Sequence, residues 1–142
     1  MANSNSQNTN SIRQTKKMKK TEILNKLYKE NSLEKEDVYK DKRGFTIITR
    51  SGIEKIQYKN NIVVRFKLIS WELDNVVVKA TSLYKEKVIE SYASATKENC
   101  RQLFRVEIAE KRALARVIIK MMGLTNTHGQ DEIDHQAKTS LL

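Results

Sequence analysis

The sequence predicts an α+β fold, a three-stranded antiparallel β-meander followed by one long α-helix, with a short helix near the N-terminus. Three observations carry that reading. From Thr96 or Lys97 to about Met122 there is no Gly or Pro, and Ala, Leu, Arg, Lys and Glu dominate, all strong helix formers. Gly123 then stands where a helix C′ residue belongs. Ile62 to Ile69 sets Ile62, Val64, Phe66 and Leu68 against Val63, Arg65, Lys67 and Ile69, the two-residue period of a strand. Turn residues at Asp74-Asn75 and at Tyr84-Lys85-Glu86 divide this strand from two further β-rich runs, Val76 to Ser82 and Lys87 to Ala95.

The remaining elements follow in order. Met1 to Thr15 is built of Asn, Ser, Gln and Thr with almost nothing to bury, which predicts disorder. With the cluster Lys16-Lys17-Met18-Lys19-Lys20 it makes residues 1–20 a basic N-terminal arm. Thr21 is a fair N-cap for a short helix over Glu22 to Glu30, whose apolar face is Ile23, Leu24, Leu27 and Tyr28. Asn31 to Lys40 has the residues for another helical turn. Phe45 to Thr49 is β-rich, Ser51-Gly52 turns the chain, and Ile53 to Tyr58 reads as a short helix. The folded domain spans residues 21–124, and residues 125–142 form a polar, slightly acidic tail expected to be mobile.

Composition narrows the function. The chain has 142 residues, 39% of them hydrophobic, enough for one domain with a modest core. Its net charge is +10, which favours a polyanionic partner such as nucleic acid. The positive charge falls on the arm, the meander and the long helix, while residues 21–43 are neutral and the tail is acidic. The single Cys100 suits a reducing compartment and excludes a disulfide framework within one chain. No apolar run approaches the ~18 residues of a membrane span, so a cytoplasmic protein with no membrane partner is expected. There is no GxxxxGK[ST] loop and no GxGxxG after a strand. His128 and His135 lie among tail acids with nothing to orient them as metal ligands. Glu107 and Glu110 share a helix flank with no nucleophile or histidine beside them. No enzyme activity, cofactor or metal is expected.

The long helix has two apolar strips. Leu103, Val106, Ala109, Ala113, Leu114, Val117 and Met121 form one, and Phe104, Ile108, Ala115, Ile119 and Met122 the other. A helix packed only within its own domain needs one such face. The second strip predicts an oligomer interface at Phe104, Ile108, Ala115 and Ile119. Between the strips Arg101, Arg105, Arg112, Arg116 and Lys120 make a basic stripe, which on many helices is simply a solvated face.

The stretches FTIITRSGIEKI, VVVKA, ESYASATKEN and above all VEIAEKRALARVIIKMMGL resemble the single-strand annealing proteins. This superfamily includes phage recombination proteins such as Redβ, Erf and Sak and the eukaryotic RAD fifty-two annealing domain. The resemblance covers Phe45 to Leu124 and implies a RAD fifty-two-like annealing core. It also implies a homo-oligomeric ring or filament and single-stranded DNA held in a basic groove with its bases exposed. The function it points to is ATP-independent annealing of complementary strands in phage or bacterial recombination and repair. A phage exonuclease or a host replication protein is the further partner class. The motif of the helix points to Lys111 and Arg112 as phosphate contacts; charge and face add Arg116 on the helix and Arg65, Lys67 and Lys79 on the meander. Lys111 is also placed to pair with Glu107. The alternative is a stand-alone double-stranded-RNA-binding module, which shares the order helix, three strands, helix. It lacks the lysines such a module needs where this chain has Thr96-Lys97-Glu98-Asn99.

Overall fold

A computed structural model describes Glu22 and residues 24–132; the basic arm and the end of the tail lie outside these. The described residues belong to two units that divide between Ser32 and Leu33. In the first, residues 24–30 form helix α1, with a Lys26–Glu30 pair one turn apart. The Asn31 side-chain amide donates to the Leu27 carbonyl at 2.7 Å, which helps to close the helix.

The second unit is α+β. It runs β1 (Val38–Lys40), β2 (Thr46–Ile48), α2 (Arg50–Lys59), β3 (Val63–Glu72), β4 (Asn75–Tyr84), β5 (Lys87–Thr96), α3 (Arg105–Met121) and β6 (Thr127–Gly129). A further helical turn opens at residues 130–132. β3, β4 and β5 form one antiparallel sheet in chain order. In the other, β1 is antiparallel to β2 and β2 is parallel to β6. This small sheet departs from the sequence reading twice. The segment expected to add a helical turn ends in β1, and β6 lies within the residues expected to be a mobile tail. Strands of three residues are too short to show a period, and the partner of β6 lies far back in the chain.

Alternation sets the larger sheet. Val76, Val78, Ala80 and Ser82 of β4, with Ser91, Ala93 and Ala95 of β5, are buried on one face. Helix α3 packs on β4 and β5. Ala109 and Ala113 have no exposed surface. Alanines on both sides let the helix backbone sit close to the sheet, where small side chains still fill space at interior density.

Helix α3 starts at Arg105, about eight residues later than expected. Thr96 and Asn99 hold the chain in a turn by reciprocal bonds. The Thr96 amide donates to Asn99 Oδ1 at 2.7 Å, and the Asn99 amide donates to Thr96 Oγ1 at 3.2 Å. Side chains that satisfy the local backbone in this way compete with helix formation. The C-terminus is where the sequence places it. The Gly123 amide donates to Lys120 O and the Leu124 amide to Ile119 O, both at 3.1 Å, a Schellman closure. It needs the left-handed φ of 67° that Gly123 supplies.

The structure also accounts for the second apolar strip of α3, and the account corrects the interface expectation. Ile108, Ala115 and Ile119 are buried within the chain itself. The helix lies between the larger sheet and a layer made by α2 and β6. At Gly129 a Cβ would come within 2.6 Å of the Ala115 methyl, so β6 touches α3 where only a glycine fits. Phe104 alone of the four expected interface residues is exposed. Among the described residues no helix is long and apolar enough to cross a membrane.

Candidate nucleic-acid interface

Register decides which basic residues meet. Across the sheet Arg65 lies opposite Thr81 and Thr81 opposite Glu90; Lys67 lies opposite Lys79 and Lys79 opposite Tyr92. Directly opposed residues share a face, so Arg65, Lys67, Lys79 and Tyr92 all stand on the face turned away from α3. Three of the six expected phosphate contacts are thereby brought together.

Lys79 is held at the centre of this face. Its ammonium lies 3.1 Å from Glu90 Oε1 and 5.8 Å from the centroid of the Tyr92 ring. The hydrogen bond to Glu90 holds its pKa above the ordinary lysine value, so the group is cationic throughout the neutral range. Tyr92 is half-exposed, a flat aromatic surface beside Lys79 and on the same face as Arg65 and Lys67 of β3, two strands away. It is absent from the sequence-derived site, although the signal is there. Ser91, Ala93 and Ala95 are the small inward residues of β5, and the residue between the first two must point out.

The helix arginines do something else. Arg112 is only 6% exposed, and its guanidinium donates to Ser94 O (2.9 Å), Asn99 Oδ1 (2.9 Å), Asn99 O (2.8 Å) and Asp131 O (3.2 Å). A buried guanidinium with four of its five N–H donors spent on acceptors of its own chain is a brace, and the expectation of a surface phosphate contact at Arg112 is corrected accordingly. Arg116 donates to Tyr92 O at 2.7 Å and pairs with Glu132; Lys120 donates to Glu90 O at 3.3 Å. Arg112, Arg116 and Lys120 therefore take carbonyls of alternate β5 residues, Ser94, Tyr92 and Glu90. Four helix residues rise about 6.0 Å and two strand residues about 6.7 Å, so consecutive cations of the stripe reach consecutive edge carbonyls. The stripe closes the outer edge of β5, the kind of cover that sheet edges need.

Lys111 is exposed and lies apart from both groups, beside a small cleft of about 70 Å³ that Ile53, Leu114 and Asp131 help to line. Beyond the β5 edge is an open groove of about 490 Å³ bordered by Tyr92, Arg116, Lys120, Thr127 and His128. Arg116 and Lys120 reach it with Tyr92 on its rim, which links the groove to the sheet face. His128 packs edge-on against Phe45 with ring centroids 5.1 Å apart. Among the described residues no cluster of His, Cys, Asp and Glu has the arrangement of a metal site. Comparison of the chain with protein-family models, curated proteins and solved structures returns no match.

Proposed function

We propose that this protein binds single-stranded nucleic acid on the solvent face of the β3–β5 sheet and anneals complementary strands without ATP, as an assembly of several copies with an annealing-type core. The placement of Arg65, Lys67, Lys79 and the exposed Tyr92 ring on one sheet face carries the reading. Cations hold phosphates without regard to sequence, and an aromatic face accepts any base. Lys67 lies directly opposite Lys79, whose charge Glu90 offsets only in part, so some like-charge repulsion remains in the free protein. A phosphate lying across the pair relieves that repulsion. A strand gripped by its backbone leaves most of its bases open to test a second strand.

Changing Arg65, Lys67 and Lys79 together to Ala should weaken binding to all single-strand sequences about equally. The slope of log K against log salt should fall by roughly 0.7 for each lost contact. Tyr92→Ala should cost about 1–3 kcal/mol of affinity while leaving that slope unchanged. Unchanged affinity in both variants removes the sheet face from the site. No acceleration of pairing over naked strands at matched salt, with nucleotide and metal omitted, removes the annealing activity. A second reading, a duplex-RNA-binding module, draws on the order α2, β3, β4, β5, α3. Tighter binding of duplex RNA than of single-stranded DNA would favour it.

A further inference from the structure

The two edges of the larger sheet are treated differently. The edge of β5 is closed by Arg112, Arg116 and Lys120. That of β3 is not: among the described residues, its ten residues pair with β4 alone. Its apolar side chains are also exposed, with Phe66 40%, Leu68 45% and Trp71 74% accessible. A long, apolar, open edge strand is a template for another strand.

We infer that β3 is the contact between two copies of this chain, paired antiparallel about a two-fold axis between Ile69 and Ser70. Within the strand, Lys67-Leu68-Ile69-Ser70-Trp71-Glu72 is complementary to itself when reversed. Lys67 falls opposite the partner's Glu72, and Leu68 opposite the partner's Trp71. The base Lys67 precedes the centre and the acid Glu72 follows it, so each half of the strand meets its opposite charge. A two-fold contact requires this self-complementarity.

Facing is consistent only because β3 is irregular. The register shifts between Leu68 and Ser70, so that Leu68 pairs with Val78 while Trp71 pairs with Val76. Both therefore lie on the α3 side of the sheet, and Lys67 and Glu72 lie together on the other. In an unbroken strand, pairing Leu68 with the partner's Trp71 would set an inward side chain against an outward one. Pairing β3 of one copy with β5 of the next is blocked by the closed edge.

The inference supplies an interface for the assembly that the proposed function calls for. It is tested without nucleic acid, so its failure is separable from failure of strand binding. Mass is measured by sedimentation, and amide exchange in β3 is followed against protein concentration. The wild type should be a dimer or an assembly of even copy number, with β3 amides protected more strongly as concentration rises. Lys67→Glu and Glu72→Lys, each alone, set like charges face to face; each should raise the dissociation constant at least tenfold and halve the mass. The double variant restores the pairs and should restore the mass. Both positions are exposed, and circular dichroism checks that each variant is folded. A monomeric wild type, an odd copy number, single reversals that leave the mass unchanged, or a double variant no better than either single one overturns the inference. If a reversal unfolds the chain, concentration-independent exchange in wild-type β3 overturns it equally.

Discussion

Arg112 and Arg116 are one helical turn apart and look alike in sequence, yet one is a buried brace and the other a surface group. What separates them is the turn at Thr96 and Asn99, which folds the Asn99 carbonyl and amide oxygens over Arg112. Helical spacing cannot show this, because the covering residues belong to a different segment whose turn depends on two side chains. Arg112→Met keeps much of the bulk and leaves buried and half-buried acceptors without donors. It should destabilise the fold by about 3 kcal/mol in urea titration. Any loss of nucleic-acid binding should then track the unfolded fraction. A second polar pair gives a pH signature. Burial pushes the Asp37 carboxyl up, but hydrogen bonds from Lys55 Nζ (2.6 Å) and the Glu34 amide (2.9 Å) and the charge of Lys55 outweigh it, so the net pKa is below its ordinary 3.8. The bond to Asp37 raises Lys55 above its ordinary 10.5. The Asp37 contribution to stability is complete above pH 3.8 and is lost as pH falls through the lower folded value. The Lys55 contribution is complete below pH 10.5 and is lost as pH rises through the higher one. Thermal melts of Asp37→Asn should show lower stability at neutral pH and a shallower decline below pH 3.8 than the wild type.

At the scale of elements, the sequence made the second apolar strip of α3 visible but could not say what covers it. Two apolar faces on one helix demand two layers, and a second copy of the chain is one source of the second layer. The other is the chain's own α2 and β6, which is the source used here. The sequence showed α2 as a short helix over Ile53 to Tyr58 but not that it docks on α3, and β6 was hidden by its length of three residues and by polar residues such as Asn126 and His128. Ending the chain at Leu124 tests the point. This removes β6, the Arg50–Asp131 ion pair, the Asp131 carbonyl that Arg112 uses, and Glu132. A merely mobile tail would be dispensable, whereas the structure predicts a melting temperature lower by ten degrees or more in calorimetry. The three strands of the larger sheet were legible, because each is ten residues long and alternates, β3 as far as Leu68.

For the whole second unit, legibility followed the range of the interactions. The α+β class, the order of the long elements and the Gly123 helix stop are local matters, and they were read from neighbouring residues. The division of the cations into a sheet face, an edge closure and an isolated Lys111 depends on register across strands. That register was settled by hairpins whose turns were visible but whose exact pairing was not. Arg65, Lys67 and Lys79 could be assigned to the sheet from charge and alternation. Tyr92 joins them only once β5 is aligned with β4.

The pairing of the α3 stripe with β5 has the arithmetic of a vernier. Each step of four helix residues falls short of two strand residues by about 0.7 Å, so the mismatch over the two steps from Arg112 to Lys120 is about 1.4 Å. Long, flexible side chains absorb that much; several further steps would carry a cation halfway to the wrong carbonyl. The scale reads true over a short span only, and it tolerates no slippage. One residue inserted between Arg112 and Arg116 rotates every later cation by about 100° and takes it off the strand. Helix and strand are therefore tied in length and phase as well as in composition, and this segment can change its side chains far more readily than its residue count.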